Sequence, residues 1–290
     1  MTGADPGTGE LQATARAARR EIVKAVAHAK GGHLGGPLSA VEVLTALYFG
    51  VLHIRPEEPD WPDRDRFILS KGHSAIALYA MLALRGFFPV AELRTFDAID
   101  SRLQGHPDMT VLPGLDMSSG SLGLGLAAGV GIALGARLAG GDFTTFVMVG
   151  DGECNEGIVW ESAHVADRYA LDNLVVIVDQ NQLQQFGWRD AATGRRRPPY
   201  AGTQLRDRWA AFGWRVSEVD GHDVLAVLEA LEAARQPAGK PAALIAHTVK
   251  GKGVSFMEDE YLWHSRVPTD DELRQALDEL ADPAGTRGGT

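Results

Sequence analysis

Apolar residues in this sequence occur in two patterns, short unbroken runs and longer stretches with helical spacing. The short runs are mostly rich in β-branched and aromatic residues, which is typical of buried strands. We predict strands at 66–70, 143–149, 174–178, 214–219 and 242–249. Because helical stretches separate these strands without long gaps, the pattern predicts an α/β fold with a doubly wound, mostly parallel sheet and helices on both faces.

The stretches with helical spacing predict amphipathic helices around the sheet. In the first of them, apolar residues recur from Leu11 to Ala29, and basic residues lie elsewhere on the helical wheel. Ser39 and Glu42 have the spacing of a capping box at the start of a second helix that runs to about residue 50, and Thr269 caps the last helix. We predict further helices at 74–85, 90–97, 122–138, 158–169, 204–212 and 224–234.

Composition and charge narrow the class of protein. A formal charge of −10 over 290 residues argues against nucleic acid or an anionic membrane as partner. The single cysteine, Cys154, excludes an internal disulfide and fits a reducing cytoplasm. The start of the chain has no signal-peptide pattern, and the glycine-rich stretch 122–138 favours a helix packed against a sheet over a membrane span. We expect a cytoplasmic protein with one domain at 10–282, a disordered start at 1–9 and a flexible tail at 283–290.

Polar residues follow two neighbouring predicted strands at their carboxyl ends. Gly150-Asp151-Gly152 comes directly after the strand at 143–149, and Asn181 follows the next strand. Ligands of an open parallel sheet bind at this edge, and a glycine-flanked turn before a helix suits a phosphate. The Asp151 carboxylate would repel a bare phosphate, whereas carboxylate, amide, carbonyl and diphosphate oxygens together suit Mg²⁺. An ordinary turn with Asn181 as a cap is the alternative interpretation.

The Gly-Asp-Gly turn and the following asparagine resemble the metal–diphosphate motif of thiamine diphosphate enzymes. Further motifs narrow the resemblance to the transketolase family, in particular to the N-terminal half of split transketolases. These motifs are Gly32-His33-Leu34-Gly35-Gly36, Ser70-Lys71-Gly72-His73, Gly105-His106-Pro107, Gly120-Ser121-Leu122-Gly123, Glu156-Gly157 and Trp263-His264. They follow the family's order over almost the whole chain, so the resemblance implies the thiamine-diphosphate-binding fold.

The resemblance also implies roles for individual residues. It implies that Mg²⁺ is bound by Asp151, Asn181 and the backbone carbonyl of Leu183. Catalytic roles are implied for four channel histidines and for a glutamate buried at a subunit interface, which are His33, His73, His106, His264 and Glu156. Contacts with thiamine diphosphate are implied for His73, Gly120, Leu122, Gly150, Asp151, Gly152, Glu153, Asn181, Lys250 and His264. Since the family's histidines bind donor-sugar hydroxyls and move protons, we expect imidazoles that titrate near neutrality.

The resemblance covers only the first of the family's two catalytic domains. In the family, the second domain has the glutamate that activates the aminopyrimidine and the arginines that hold the sugar phosphate. The resemblance therefore implies that the partner is a C-terminal transketolase-like chain, in an assembly with two copies of each chain. The implied reaction is transfer of a two-carbon ketol unit from a ketose donor to an aldehyde acceptor.

Departures from the family pattern leave the substrate open. Leu34 and Leu124 replace the usual proline and glutamine, and the loop at 188–200 fits the family poorly. A non-phosphorylated sugar or a pyruvate-type acyl donor in a biosynthetic pathway is an alternative to a pentose-pathway sugar phosphate. A second hypothesis for the function, from another class, is a chain that binds the cofactor but acts only as a scaffold or regulator. The α subunit of a 2-oxo-acid dehydrogenase is a third, although it would not be expected to have the motifs at 70–73 and 263–264.

Overall fold

The computed structural model describes residues 7–185, 192–193 and 203–281. Its strands are β1 (Arg66–Leu69), β2 (Thr145–Gly150), β3 (Leu174–Gln180), β4 (Arg215–Asp220) and β5 (Ala242–His247). They form one parallel sheet in the order β1-β2-β3-β5-β4. The three central strands are apolar and buried along nearly their whole length, as expected when helices cover both faces of a parallel sheet.

Helices connect the strands and surround the sheet. They are α1 (Thr8–Ala29), α2 (Gly35–Ser39), α3 (Val41–Ala46), α4 (Ala75–Arg85), α5 (Leu124–Ala139), α6 (Gly157–Arg168), α7 (Gln204–Ala211), α8 (Val224–Arg235) and α9 (Asp270–Glu279). A π-helical turn continues α3, and short 3₁₀ turns lie at Gly72–Ser74, Val90–Thr95, Glu153–Asn155 and Tyr261–His264. None of the helices in the part of the chain that the structure describes is long and apolar enough to cross a membrane.

Alternate residues of each central strand belong to two separate hydrophobic cores. In β2, Phe146 and Met148 pack into the core under α1, α3, α4 and α8. Val147 and Val149 point to the opposite face and pack with α5, α6 and α7. Because side chains of a strand alternate between its two faces, one apolar run supplies both cores. The prediction of a doubly wound α/β fold is therefore confirmed.

Helix α5 approaches the sheet closely because it carries glycine on its inner face. A Cβ atom at Gly125 would lie 2.4 Å from the side chain of Ser70, and one at Gly129 would lie 2.4 Å from Val147 Cγ2. By contrast, a Cβ atom at Gly131 or Gly135 would meet nothing within 4 Å. The glycine-rich stretch is thus a helix packed against the sheet, as the sequence predicts.

The capping box predicted at Ser39 and Glu42 is wrong. Neither α2 nor α3 has a side-chain cap. Ser39 Oγ instead lies 2.6 Å from the buried carboxylate of Asp179, and Glu42 binds Arg19 and His222. Buried charges need polar or charged partners. Ser39 donates to the buried carboxylate of Asp179, and the carboxylate of Glu42 is bound by residues that lie far away in the sequence. Thr269, in contrast, does cap α9 in a capping box with Glu272.

The ends of the chain are only partly described. The start predicted as disordered at 1–9 overlaps α1, which begins at Thr8, and residues 1–6 lie outside the described residues. The predicted tail at 283–290 lies outside them as well, and so does the loop at 188–200 apart from residues 192–193.

Candidate active site

A cavity of about 460 Å³ lies at the carboxyl ends of the central strands. The register of the sheet places Gly150 beside Asp179 and Gln180 beside His247, so β2, β3 and β5 end at the same level. The predicted site residues that line the cavity are His33, His73, His106, Gly120, Leu122, Gly150, Asp151, Gly152, Glu153, Asn181, Leu183, Lys250 and His264. Residues that are scattered over most of the sequence therefore meet in one place.

Asp151 is a buried carboxylate in the floor of this cavity. Its oxygens accept hydrogen bonds from the backbone N–H groups of Gly152 and Gln182, each at 2.7 Å. Burial and the nearby charge of Asp179 raise the pKa of Asp151 to about 6, although both hydrogen bonds act to lower it. A carboxylate in such surroundings is stabilised by a bound cation, so the group fits the predicted divalent metal.

Asn181 and Leu183 present further oxygen atoms beside Asp151. The side-chain oxygen of Asn181 accepts a hydrogen bond from the backbone N–H of Leu183 at 3.1 Å, and its amide nitrogen donates to Asp179. The backbone carbonyl of Leu183 accepts a hydrogen bond from Lys250 Nζ at 2.9 Å. Carboxylate, amide and carbonyl oxygens of this kind form a donor set suited to Mg²⁺.

Glu153 is buried and bridges two turns of the cavity wall. Its carboxylate accepts the backbone N–H of Gly123 at 2.7 Å and that of Gly150 at 3.0 Å, and it also binds the hydroxyl of Ser70. Burial raises the pKa of Glu153 despite these bonds. With its oxygens bound in this way, the side chain acts as a support that holds the turns around Gly123 and Gly150.

Three of the predicted histidines form a cluster at one side of the cavity. The ring centroids of His33, His73 and His264 lie 5.1–5.3 Å apart. Burial and the charge of Lys71 lower the pKa of His73 to about 2, and burial and the charge of Lys250 lower that of His264 to about 3. Burial also lowers the pKa of His33. The expectation of an imidazole that titrates near neutrality is therefore wrong for His73 and His264.

The contact with Lys250 determines which ring nitrogen of the neutral His264 carries the proton. Lys250 Nζ lies 2.9 Å from His264 Nδ1. An ammonium group can only donate, so Nδ1 accepts and the proton is on Nε2. The imidazole thus offers an N–H donor at Nε2 without carrying a charge.

His106 is the most exposed of the four histidines and lies at the cavity rim. The hydroxyl of the buried Tyr79 lies 2.9 Å from the carbonyl of Gln104 and 3.2 Å from that of His106, which fixes this segment. A Cβ atom at Gly120 would lie 3.7 Å from the His106 ring. The two segments therefore approach each other across the rim.

Glu156 is the predicted site residue that does not line the cavity. It lies at the N-cap position of α6 and is exposed in the single chain. The expected buried position would therefore require that another protein chain cover this end of the helix.

Two charged residues, one in the cavity wall and one bound to it, are absent from the predicted site. Lys71 lines the cavity, and its ammonium group binds the buried carboxylate of Asp179. Asp179 also accepts from Asn181, which is a predicted metal ligand. Lys71 is the second residue of the Ser-Lys-Gly-His motif, and Asp179 comes two residues before Asn181. Their positions next to predicted site residues were the available signal.

Comparisons with known proteins agree with this geometry. The family model for the thiamine diphosphate binding domain of transketolase matches residues 11–282. The chain is 41% identical over 264 residues to one of the subunits of the apulose-4-phosphate transketolase of Phocaeicola vulgatus, and the match covers 91% of each protein. It is 40% identical over 271 residues to the 6-deoxy-6-sulfo-D-fructose transketolase subunit SqwG of a Clostridium species, covering 93% of this chain and 96% of that protein.

Solved structures of full-length transketolases share the fold. The transketolase of Campylobacter jejuni superposes with a TM-score of 0.84 at 30% identity, over 93% of this chain and 42% of that one. A Pichia stipitis transketolase in complex with sedoheptulose-7-phosphate gives the same TM-score and identity, over 96% of this chain and 43% of that one. The chain thus spans about two fifths of the length of these enzymes. By its sequence, its fold and the residues of its cavity, the chain belongs to the transketolase family and has the thiamine diphosphate binding domain of that family.

Proposed function

We propose that this chain is the thiamine-diphosphate- and Mg²⁺-binding subunit of a two-chain transketolase-like enzyme. The observation that carries the proposal is the cavity itself, whose lining combines the buried carboxylate of Asp151 with the cluster of imidazoles. Asp151, Asn181 and the carbonyl of Leu183 would hold the metal ion. Lys250 and His73 would contact the diphosphate, whose negative charge suits the ammonium group.

The histidines of the cavity would bind the sugar. When bound, thiamine diphosphate would supply the carbon nucleophile that adds to the carbonyl of a ketose. His264 would donate from Nε2, and His33 and His106 would contact hydroxyls beside that carbonyl. Hydrogen bonds that strengthen as charge develops in the transition state raise turnover rather than affinity alone. The reaction is transfer of a two-carbon ketol unit to an aldehyde acceptor.

The partner in this proposal is a separate C-terminal transketolase-like subunit. Three relatives that match over most of their length are named as subunits of transketolases, and the chain spans only about two fifths of full-length enzymes. The partner would supply the glutamate that activates the aminopyrimidine, and two copies of each chain would form the assembly. Its contact with this chain would cover Glu156. We place this assembly in the cytoplasm, which the lone, buried Cys154 supports.

A specialised ketose is the second candidate for the donor. Two of the relatives are named for apulose-4-phosphate and one for 6-deoxy-6-sulfo-D-fructose, and neither is a common pentose-pathway sugar. At the start of α5, Leu124 is 42% exposed where the family usually has a polar glutamine. The side chain can therefore contact a less polar part of a substrate or of the partner chain.

Calorimetry tests the cofactor part of the proposal. Thiamine diphosphate should bind the chain in complex with its partner when Mg²⁺ is present, and excess chelator should abolish binding. Asp151→Asn should weaken binding at least about tenfold, since it removes one charge-assisted ligand. Asp271→Asn, at an exposed position of α9 outside the cavity lining, is the matched control and should leave the affinity unchanged. Equal affinity with and without a chelator would contradict the metal assignment.

Mixing experiments test the partner and the substrate. The purified chain should show no turnover with any ketose, and activity should appear when the complementary chain is added. A donor screen on the pair, which includes sugar phosphates, sulfosugars and pyruvate, then identifies the substrate class. Turnover by the chain alone would refute the two-chain proposal. Consumption of pyruvate but of no ketose would refute ketol transfer and leave cofactor binding intact.

A further inference from the structure

Arg19, Glu42 and His222 form a buried polar network outside the cavity. Arg19 binds both oxygens of Glu42 through its two terminal nitrogens, at 2.5 and 2.7 Å. His222 Nδ1 lies 3.0 Å from the same carboxylate. Although burial raises the pKa of Glu42, the bonds from His222 and Arg19 outweigh that effect and lower it to about 2. Glu42 is therefore an ionised acceptor for the His222 ring.

The other nitrogen of the His222 ring determines its tautomer. The backbone N–H of Val249 donates to His222 Nε2 at 2.8 Å. A backbone N–H can only donate, so Nε2 carries no proton and Nδ1–H donates to Glu42. His222 thus links α3 to the segment after β5 with both ring nitrogens in use.

The segment that His222 holds is the loop 249–253, which carries Lys250. Arg19 Nε donates to the carbonyl of Lys252 at 2.9 Å, so the network holds the loop on either side of Lys250. Between these two anchors, the Lys250 side chain extends into the cavity and contacts Leu183 and His264. The loop also fits tightly on Arg19, since a Cβ atom at Gly253 would lie 2.9 Å from Arg19 Cδ.

We propose that His222 is a positioning residue that aims Lys250 into the cavity. Its Nε2 fixes the backbone N–H one residue before Lys250, and Glu42 fixes the ring by accepting from Nδ1. His222 itself is absent from the residues that line the described cavity, so it acts through the loop. The inference rests on the proposed function, in which Lys250 contacts the diphosphate.

Two substitutions separate the two bonds of the imidazole. In His222→Asn, the side-chain amide replaces Nδ1 and can still donate to Glu42, but no acceptor reaches Val249. In His222→Gln, the amide oxygen replaces Nε2 and can still accept from Val249, while the bond to Glu42 is lost. Each variant loses one hydrogen bond, and the bond lost in His222→Gln is the one to a charged acceptor, so a merely structural role would make His222→Gln at least as damaging as His222→Asn.

The first measurement is hydrogen exchange of the full chain without ligand, followed in the peptide that contains Val249. Exchange in His222→Asn should be about fivefold to tenfold faster than in the unmodified chain, as expected for the loss of one hydrogen bond. Exchange in His222→Gln should be within about twofold of the unmodified chain. Similar exchange in the two variants would overturn the proposal. This measurement needs no cofactor and decides the anchoring even if the proposed function fails.

The second measurement is the affinity of thiamine diphosphate with Mg²⁺ for the chain in complex with its partner. His222→Asn should weaken binding about fivefold to tenfold and His222→Gln no more than about twofold. In a Lys250→Met background, His222→Asn should have no further effect, because the lysine through which it acts is gone. Additive losses in that background would overturn the proposal. No binding by the unmodified complex would instead refute the proposed function.

Discussion

The ammonium group of Lys71, a residue that lines the cavity, forms an ion pair with the buried carboxylate of Asp179. The two side chains are 3% and 0% exposed. Although burial raises the pKa of Asp179, the charge of Lys71 and the hydrogen bonds to the carboxylate outweigh that effect and lower it. The carboxylate of Asp179 also accepts a hydrogen bond from the side chain of Asn181. A buried charge pair therefore supports the position of a proposed metal ligand.

Removing only one member of this pair should be more damaging than removing both. Lys71→Met leaves Asp179 as an unpaired buried charge and should lower the free energy of unfolding by about 3–5 kcal/mol. The double variant Lys71→Met with Asp179→Asn should lose less than Lys71→Met alone. Urea unfolding at pH 7 of both single variants and of the double variant measures the three losses. A double variant that loses the sum of the two single losses would show that the residues do not interact.

The lowered pKa of Glu42 predicts how the free energy of unfolding depends on pH. Its folded pKa of about 2 lies below its ordinary value of 4.5, so folding favours the ionised form. This contribution is fully present above pH 4.5 and is lost as pH falls toward 2. The advantage of the unmodified chain over Glu42→Gln should therefore be largest near neutrality and shrink by about 3 kcal/mol below pH 4.5. Denaturant titrations over that range test it, and a constant difference would contradict the assignment.

The lowered pKa of His73 predicts a second loss of stability in acid, which begins at a higher pH than that of Glu42. Its folded pKa of about 2 lies below the ordinary 6.5, so below pH 6.5 the unfolded chain binds a proton that the folded chain does not. Stability should fall as pH drops from 6.5 by about 1.4 kcal/mol per pH unit for this group. Between pH 7 and pH 5, His73→Asn should therefore lose about 2 kcal/mol less than the unmodified chain. Identical losses in the two proteins would contradict a neutral buried imidazole.

Two glycines of α5 should respond to alanine in opposite directions. Gly129→Ala places a methyl group against Val147 and should destabilise the chain by about 1–3 kcal/mol. Gly131 lies on the same helix with open space at its Cβ position. Gly131→Ala should stabilise the chain by up to about 1 kcal/mol because alanine favours the helix. Thermal unfolding of the two variants measures the difference, and equal shifts would contradict the close packing.

His106 at the cavity rim should affect the sugar more than the cofactor. In the reconstituted pair, His106→Ala should slow cleavage of the donor about tenfold to a hundredfold, as expected for the loss of one hydrogen bond of about 1.5–3 kcal/mol that strengthens as charge develops on the sugar. The affinity for thiamine diphosphate should stay within about threefold. Single-turnover kinetics and calorimetry separate the two effects. Equal losses in both would place His106 at the cofactor instead of the sugar.

The sequence by itself determined the strands and the residues that follow them. Apolar runs such as the one before Gly150 and the one before Asn181 predict buried strands, because a strand that is covered on both faces needs consecutive apolar residues. In a parallel sheet the carboxyl ends of such strands share one edge. The position of Asp151 beside Asn181 follows from these local signals, and the family motifs added the residues of the cavity wall.

Only the tertiary structure decided which polar groups bind each other. Ser39 and Glu42 have the local spacing of a capping box, yet Ser39 binds a carboxylate 140 residues away and Glu42 binds His222, which lies 180 residues away. Buried charges are satisfied by whatever group the fold brings within reach, and sequence spacing does not encode that distance. The same holds for the lowered pKa of His73, because its cause is burial and the charges that packing places around the ring.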